Sequence, residues 1–585
     1  MSRKNVKISA CDAETDPFLK MRVPQPFIWG HFDGRDFLTF DKTLDFVRFL
    51  KDRTEICYAH NGGKFDFMYL LEYLIEAGLD GFRLQIINSR VVSMHIGKCQ
   101  LRDSFSAIPE ALKKFGNKKD IDMKKLEKSV RHKHMTEIIE YLFADCAELY
   151  KAMEKYREIV GTKPTLSSNA LAYAKKLGID PGKTNHRFDR DLREYYFGGR
   201  TECLQPGTHK NITVIDINSA YPFAMMQEHA SGDQRNFRVS DNLDGLDRAE
   251  IQRAFITVEC DARGCFPKRS VNGGLGFPHE RNIFNVTGWE YTTALDLGLI
   301  NDVKILRVFA SNKTIHFRPY VTHWYDYKNA HSETDENLKR KYPIEYVIGK
   351  QMMTNLYGKL SQNPANYYDY KIVKRGTHIC YDPFTTNDRY CNKCGEKMLD
   401  HGWKWVTAFN AYELHARECL WKYKYRLGAD WEQAPLYKNV ATGASITGFT
   451  RAHLLRSGYA VGINSVIYMD TDSMFLTDQS DTSNIMLSPA LGHWKIEAKN
   501  CPQGHFAGKK LYAVQLPSGE YKTANKGVRL SPADIIRVSN GEKVIWENDA
   551  PSFSILTGKL PFLETDIDKF FISREVKRTA GIIRP

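Results

Sequence analysis

Asp470 and Asp472 lie one residue apart in Tyr468-Met469-Asp470-Thr471-Asp472-Ser473, between the apolar runs Val466-Ile467 and Met474-Phe475-Leu476. The pattern predicts strand, tight turn and strand, with both carboxylates at the tip of a hairpin. There they repel each other unless a divalent cation sits between or beside them. Acidic hairpin tips are more often solvated turns than metal sites, so the weight rests on what accompanies this one. Far upstream, the β-branched run Ile212-Thr213-Val214-Ile215 leads into Asp216 and then into a turn closed by Pro222. A surface strand with an acidic cap is the plain reading. The chemical reading is that Asp216 and the Asp470/Asp472 hairpin meet on one sheet and clamp two magnesium ions, which serve in-line phosphoryl transfer.

These segments resemble the palm motifs of family B DNA polymerases. A third segment, Ile344 to Gly358, reads as a helix ended by glycine, with Lys350 and Tyr357 seven residues apart and so on one face. The resemblance implies that Lys350 meets the triphosphate of the incoming nucleotide and that Tyr357 packs against its base or sugar. The family usually has Asn-Ser where this chain has Thr354-Asn355. Tyr221 would lie under the sugar and exclude a ribose 2′-hydroxyl by volume, and Lys328 would be a second phosphate-binding lysine. Tyr196, Gly198 and Gly199, in Tyr195-Tyr196-Phe197-Gly198-Gly199-Arg200, resemble the Tyr-x-Gly-Gly segment that contacts the template. Lys510 and Tyr512 resemble the Lys-x-Tyr segment near the primer terminus, Lys526 the start of a duplex-gripping thumb, and Arg417 a DNA-contacting arginine. The matches follow the family's order along the chain, which no single motif could establish.

The amino-terminal third carries a second set of acids. Strand alternation puts Asp12 and Glu14 on one side. Asp66 follows in His60-Asn61-Gly62-Gly63-Lys64-Phe65-Asp66, and Tyr141 and Asp145 share a face of a helix expected from about Met135 to Val160. This set resembles the proofreading 3′–5′ exonuclease of the same polymerases. By that resemblance the carboxylates hold two metals, and Tyr141 helps orient the attacking water. Asn61, Phe65, Ser104 and Phe105 hold the frayed strand, and Lys118, with Lys119 as its alternative, touches the scissile phosphate. Asp12 and Glu14 decorating an edge strand is the bland alternative.

With 585 residues the chain exceeds what one core supports, and 83 Lys+Arg against 70 Asp+Glu give a net charge of +13, which suits a nucleic-acid partner without demanding one. No apolar run approaches the ~20 residues needed to span a bilayer, and no apolar signal core follows Met1-Ser2-Arg3-Lys4. The 12 cysteines, mostly in apolar contexts, read as reduced thiols and not as a disulfide framework. The exception is Cys391-Asn392-Lys393-Cys394, which with Cys380, His378 and His401 nearby offers donors for zinc, against a plainer reading as inert surface cysteines.

Two insertions, at 233–320 and 365–405, resemble those of the protein-primed branch of the family, and the strings Glu14-Thr15-Asp16-Pro17-Phe18 and Tyr58 to Asp66 look closest to polymerases of tectivirus-type phages. The fold class expected is α/β multidomain: an RNase H-like exonuclease domain (1–185), then a right-hand polymerase. The latter comprises palm (186–232 and 406–501), fingers (321–364), thumb (502–585) and the two insertions. The first insertion would dock a terminal protein; the second would help peel away the displaced strand. Expected cofactors are two Mg2+ per site, with Mn2+ able to substitute. Expected partners are template and primer DNA, deoxynucleotide triphosphates and a terminal-protein primer, with no membrane, the chain acting as a monomer in the host cytoplasm. Two alternatives stay open: a polymerase that starts from a nucleic-acid primer, and a nuclease alone or a silent DNA-binding scaffold.

Overall fold

A computed structural model of the chain describes residues 6–578 except 20–21, 75, 79–82, 115–119, 272, 337–339, 364–367, 378–402, 410, 419–434, 437, 526, 549 and 563–565. The first apolar runs form β1 (Lys7–Thr15), β2 (Pro26–Phe32), β3 (Phe37–Phe40), β4 (Glu55–Ala59), β5 (Arg83–Ile87), β6 (Arg90–Ile96) and β7 (Cys99–Asp103). β1 pairs in parallel with β4, and β4 with β7, while the flanking pairs are antiparallel. Helix α1 (Met135–Val160) lies over this sheet, as its periodicity predicts. It packs so near β2 that a Cβ on Gly30 would stand 2.8 Å from Leu142 Cγ, so only glycine fits there.

The second unit begins with β8 (Thr201–Cys203), β9 (Gly207–Ile217) and α2 (Ala220–Met225). An excursion follows, with its own antiparallel sheet of β10 (Phe237–Ser240), β11 (Phe255–Arg263), β12 (His279–Thr287) and β13 (Ile300–Ser311), in the order β10-β13-β11-β12, and a helix, α3 (Gly288–Asp296). It has a separate hydrophobic core around Val258, Phe266, Phe284 and Val308. Two helices, α4 (Arg318–Ala330) and α5 (Pro343–Leu360), occupy the segment expected as fingers. Strands β14 (Tyr368–Lys374), β15 (Trp403–Phe409) and β16 (Tyr412–Glu418) come next, then the long buried helix α6 (Val440–Ala460). The chain then returns through β17 (Val466–Asp470), β18 (Ser473–Leu476), β19 (Trp494–Gly508), β20 (Leu511–Gln515) and β21 (Tyr521–Asn525). The resulting seven-stranded sheet runs β21-β20-β19-β9-β18-β17-β8, so β9 and the β17–β18 hairpin are neighbours.

Two boundaries differ from those read in the sequence. β15 and β16 do not begin the second part of the palm: they pair with β14, which pairs with β5, so 403–418 extends the amino-terminal sheet to ten strands. The boundary at 502 falls inside β19, whose register on β9 continues from Ile212↔Cys501 to Lys210↔Gln503. Proline reads as a strand breaker, but Pro502 lies where the facing Asn211 takes a left-handed φ of 52°, an irregularity that a missing N–H tolerates. The end of the expected thumb also folds back, with Phe553, Ile555, Leu560 and Phe570 buried in the amino-terminal core. Among the described residues no helix is long and apolar enough to cross a membrane, and the described cysteines are free and buried.

α6 and α3 meet at Gly448, where a Cβ would stand 2.1 Å from Thr287 Oγ1 in the capping box of α3. Gly448→Ala is expected to destabilise the chain by about 1–3 kcal/mol through overpacking, read as a lower melting temperature. An unchanged transition would mean that this helix pair is loosely seated.

Candidate active sites

β9 carries Asp216 near its end, opposite Ser473 of β18 on one side and Lys495 of β19 on the other. Asp470 closes β17, and Thr471 makes the turn with a left-handed φ of 63°. The Asp472 N–H donates to the Asp470 carbonyl at 2.6 Å, and the Asp472 carbonyl accepts from Ile217 N–H at 2.7 Å. Adjacent strand ends thus gather the three carboxylates, as the hairpin pattern predicts. Each outer acid has a lysine on it: Lys495 Nζ stands 3.1 Å from Asp216 Oδ1, and Lys510 Nζ bonds Asp470 Oδ1. Asp470 Oδ1 also accepts from Thr201 Oγ1 at 3.2 Å. Burial, then Asp216 and Asp470, push the Asp472 carboxyl up to about 6. Burial also raises Asp216, against the pull of Lys495.

A row of cations faces these acids. Gly349 of α5 lets α4 approach so that a Cβ there would lie 3.0 Å from Lys328 Cα, which brings Lys328 beside the exposed Lys350. The Lys328 ammonium is held below its usual range by burial first, then by Lys495, Lys350 and Arg340. Such a cluster is unfavourable until an anion neutralises it. Tyr221, two residues after the left-handed Ser219, stacks on Tyr357 with centroids 4.1 Å apart and planes at 15°. Burial and then the nearby Tyr196 push Tyr357 up to about 12, and Asp472 adds to the shift. Tyr196, Tyr221 and Tyr357 therefore form one wall beside the carboxylates.

In the amino-terminal unit, Asp12 and Glu14 project from β1, Asp66 opens a short helix and Asp145 comes from α1. Glu14, Asp66 and Asp145 are buried. The Asp66 carboxyl is driven well above the ordinary range by burial and then by Asp12. The buried Cys146 thiol is raised by burial, then by Asp12 and Cys57, with Asp145 and Glu14 contributing, so these acids share one neighbourhood. Tyr141 lies one turn before Asp145 on α1. At the mouth, Asn61 (φ 61°) accepts from Arg90 Nη1 at 2.9 Å, Arg90 also pairs with Asp103, and its guanidinium lies 4.7 Å from the centre of the Phe105 ring. Ser104 Oγ bonds His60 Nδ1 at 3.0 Å.

Among the described residues no three His, Cys, Asp or Glu side chains form a ready-made metal cage. The donor sets nonetheless suit a hard divalent cation. Both are all-oxygen, and in the second unit the acids already draw lysine ammonium groups onto themselves.

Several expected placements are not met. Arg417 is 7% exposed in β16, ion-paired with Asp369 at 3.4 Å and stacked on Trp403 at 4.9 Å, because 403–418 joins the amino-terminal sheet. Its guanidinium is engaged within that sheet. Tyr512 is 5% exposed, with its ring in an aromatic cluster with Tyr468, Phe475 and Phe506 that backs the Asp470 strand. Phe65 is half-buried and stacks on Phe553 at 5.6 Å, a contact made by the returning carboxy-terminal segment. Lys118 with Lys119, Lys526, and the zinc candidates Cys380, Cys391, Cys394, His378 and His401 lie outside the described residues.

Arg90, Asp103, Lys495, Arg340 and Arg451 complete the sites without a motif to point to them. Only Asp103 had a signal, as the residue before Ser104-Phe105. Lys495 and Arg451 act through pairings between segments far apart in sequence.

Residues 116–399 match the model of the family described as DNA polymerase type B, organellar and viral. The chain is 30% identical to the DNA-directed DNA polymerase of Enterobacteria phage PRD1, with 97% of this chain and 99% of that protein aligned. It is 24% identical to a probable DNA polymerase of Agaricus bitorquis, over 84% of this chain and 68% of that one. The fold is shared with Phi29 DNA polymerase solved with primer-template DNA and incoming nucleotides, at a TM-score of 0.70 and 16% identity, covering 98% and 100% of the two chains.

With its pKa raised to about 6, Asp472 favours the native state in its protonated form. That contribution is present below about pH 4 and is lost as pH rises through about 6. Without magnesium, Asp472→Asn is therefore expected to stabilise the chain at pH 7.5 by about 1–2 kcal/mol and to leave it unchanged near pH 4. Thermal unfolding in a chelator at the two pH values checks this. A variant less stable at pH 7.5 would refute the burial argument.

Proposed function

The chain belongs to the family B DNA polymerases, and from that premise we propose that it replicates a linear viral genome from a terminal-protein primer, proofreading with a 3′–5′ exonuclease and displacing a strand as it copies. The observation that carries the synthetic reading is the gathering of Asp216, Asp470 and Asp472 on adjacent strands opposite Lys328, Lys350, Lys495 and Arg340. Cleavage alone has no use for a cationic nucleotide pocket, which weighs against a nuclease-only or silent-scaffold reading.

Asp216, Asp470 and Asp472 would hold two Mg2+ ions, with Mn2+ able to substitute. When bound, these ions supply charge stabilisation to the attacking and leaving oxygens of an in-line transfer. The chain's own work is positioning. Lys350 and Lys328 bind the triphosphate as point charges that can hold it and then release it. Lys495, released from Asp216 as the carboxylate is neutralised, adds to that row. Tyr221, braced by its stack on Tyr357, fills the volume beside the sugar and disfavours a ribose 2′-hydroxyl. In the amino-terminal site Asp12, Glu14, Asp66 and Asp145 would hold the metals of hydrolysis and Tyr141 would orient water. Asn61, Ser104, Phe105 and Arg90 would steady the frayed end.

Phi29 polymerase was solved with primer-template DNA and incoming nucleotides, and the same ligands are proposed here. The 233–320 excursion, with its own core, is the proposed dock for the terminal protein. The second insertion, 365–405, whose β14 joins the amino-terminal sheet, is the proposed element for strand separation. We place this activity in a monomer in the host cytoplasm.

On a primed single-stranded template with magnesium, Asp472→Ala is expected to abolish extension and retain primer degradation, and Asp12→Ala the reverse, each loss by a factor of about 10³ or more. Gel analysis of a labelled primer reads both. Loss of both activities in either variant would sink the two-site reading. Extension by the intact chain only when terminal protein is added would make protein priming obligatory.

A further inference from the structure

The first insertion is fastened to the polymerase carboxylates through three cationic side chains of the palm. Arg451 of α6, 2% exposed, uses both edges of its guanidinium. Nε and Nη2 donate to Glu290 of α3 at 2.7 and 2.9 Å, and Nη1 donates to the carbonyls of Phe197 and Gly198 at 2.7 and 2.9 Å. The next residue, Gly199, lies so near the catalytic turn that a Cβ would stand 2.7 Å from the Thr471 side chain. The Arg200 carbonyl accepts from Thr471 N–H at 2.6 Å. Arg200 itself pairs with Glu202, donates to the Gly264 carbonyl at 2.8 Å and stacks on Phe277 at 4.1 Å, the last two in the insertion. On the other side, Lys509 Nζ donates to the Leu275 carbonyl at 2.6 Å, and the adjoining Lys510 holds Asp470.

Thr471 is β-branched and left-handed, a conformation that persists only when its surroundings over-determine it. The surroundings here are the Gly199–Arg200 backbone, placed in turn by Arg451. A buried ion pair is poor evidence of stability, but a planar guanidinium bonded on both edges fixes the distance between what it joins. It joins the insertion to the template-side segment.

We infer that Arg451 is a positioning residue for nucleotidyl transfer, with Glu290 of the first insertion as its counter-charge: together they set the Thr471 turn and hence Asp470 and Asp472. This rests on the reading of those aspartates as the polymerase centre. The relay touches none of Lys328, Lys350 or Arg340, so the hold on the triphosphate should be spared. The exonuclease carboxylates stand on another sheet, so degradation should be spared too.

The test uses the full chain with magnesium on a primed template, comparing the intact protein, Asp472→Ala, Arg451→Lys, Glu290→Gln, Gly199→Ala, and Gly199→Ala with Thr471→Ala. Lysine keeps the charge and loses the fork. Arg451→Lys and Glu290→Gln are expected to lower kcat about tenfold with KM for the deoxynucleotide within about twofold, a split that marks a lost transition-state geometry. Melting temperature falls in both, because each change breaks a buried ion pair, while degradation, assayed well below both transitions, stays near that of the intact chain. Gly199→Ala is expected to reproduce the kcat loss, and the added Thr471→Ala, which removes the clashing atoms, to restore part of it. Unchanged kcat in Arg451→Lys, or degradation falling in step with kcat well below the melting transition, overturns the inference. If Arg451→Lys does not fold, Gly199→Ala and its double variant decide: no loss, or a loss without rescue, overturns it. Extension that survives in Asp472→Ala overturns instead the reading on which the inference rests.

Discussion

Carboxylates crowded on neighbouring strand ends repel each other, and the second unit is organised around that repulsion. Asp216, Asp470 and Asp472 are brought together by the pairing of β9 with β18 and of β18 with β17. Lys495 and Lys510 offset two of the three charges, while Asp472, crowded by the other two acids, has its pKa raised to about 6. A sheet edge in this state binds divalent cations readily, because each ion relieves repulsion the fold has already imposed. The cation row at Lys328 and Lys350 is the complement: a repulsion that an anion relieves.

The amino-terminal site meets the same constraint differently. Its carboxylates come from a strand, a short helix and the long α1, and three of them are buried. Burial there does much of what lysines do in the palm, holding Asp66 toward its neutral form. Proximity of α1 to the sheet is what makes the site, and it depends on Gly30, where any side chain would strike Leu142. Arg90, bridging Asn61 and Asp103, is the cation at its mouth.

The two excursions from the palm are built into the units they touch. The first reaches the catalytic turn through Arg451, Arg200 and Lys509; the second lends its strands to the exonuclease sheet, so one ten-stranded surface spans 7–103 and 368–418. The carboxy-terminal Phe553 and Phe570 close back on the same core. Contacts across such sequence distances tie the two units together.

Short-range pattern was enough for much of this. Alternation put Asp12 and Glu14 on one strand face, helical period put Tyr141 with Asp145, and the hairpin at Asp470–Asp472 follows from apolar runs around a tight turn, because these signals arise within a few residues. Motif order along the chain also pointed to the family to which it belongs. What the sequence could not decide is pairing between distant segments: that 403–418 leaves the palm for the exonuclease sheet, that Arg417 and Tyr512 are packed inward, that Pro502 lies within a strand opposite a left-handed Asn211. Lys495 on Asp216, Arg90 on Asp103 and Arg451 on Glu290 are ion pairs with no local signature. Each depends on strand register or helix packing, and those are fixed only when the whole core closes, since the energy that selects them comes from burial shared among segments beyond the reach of any local pattern.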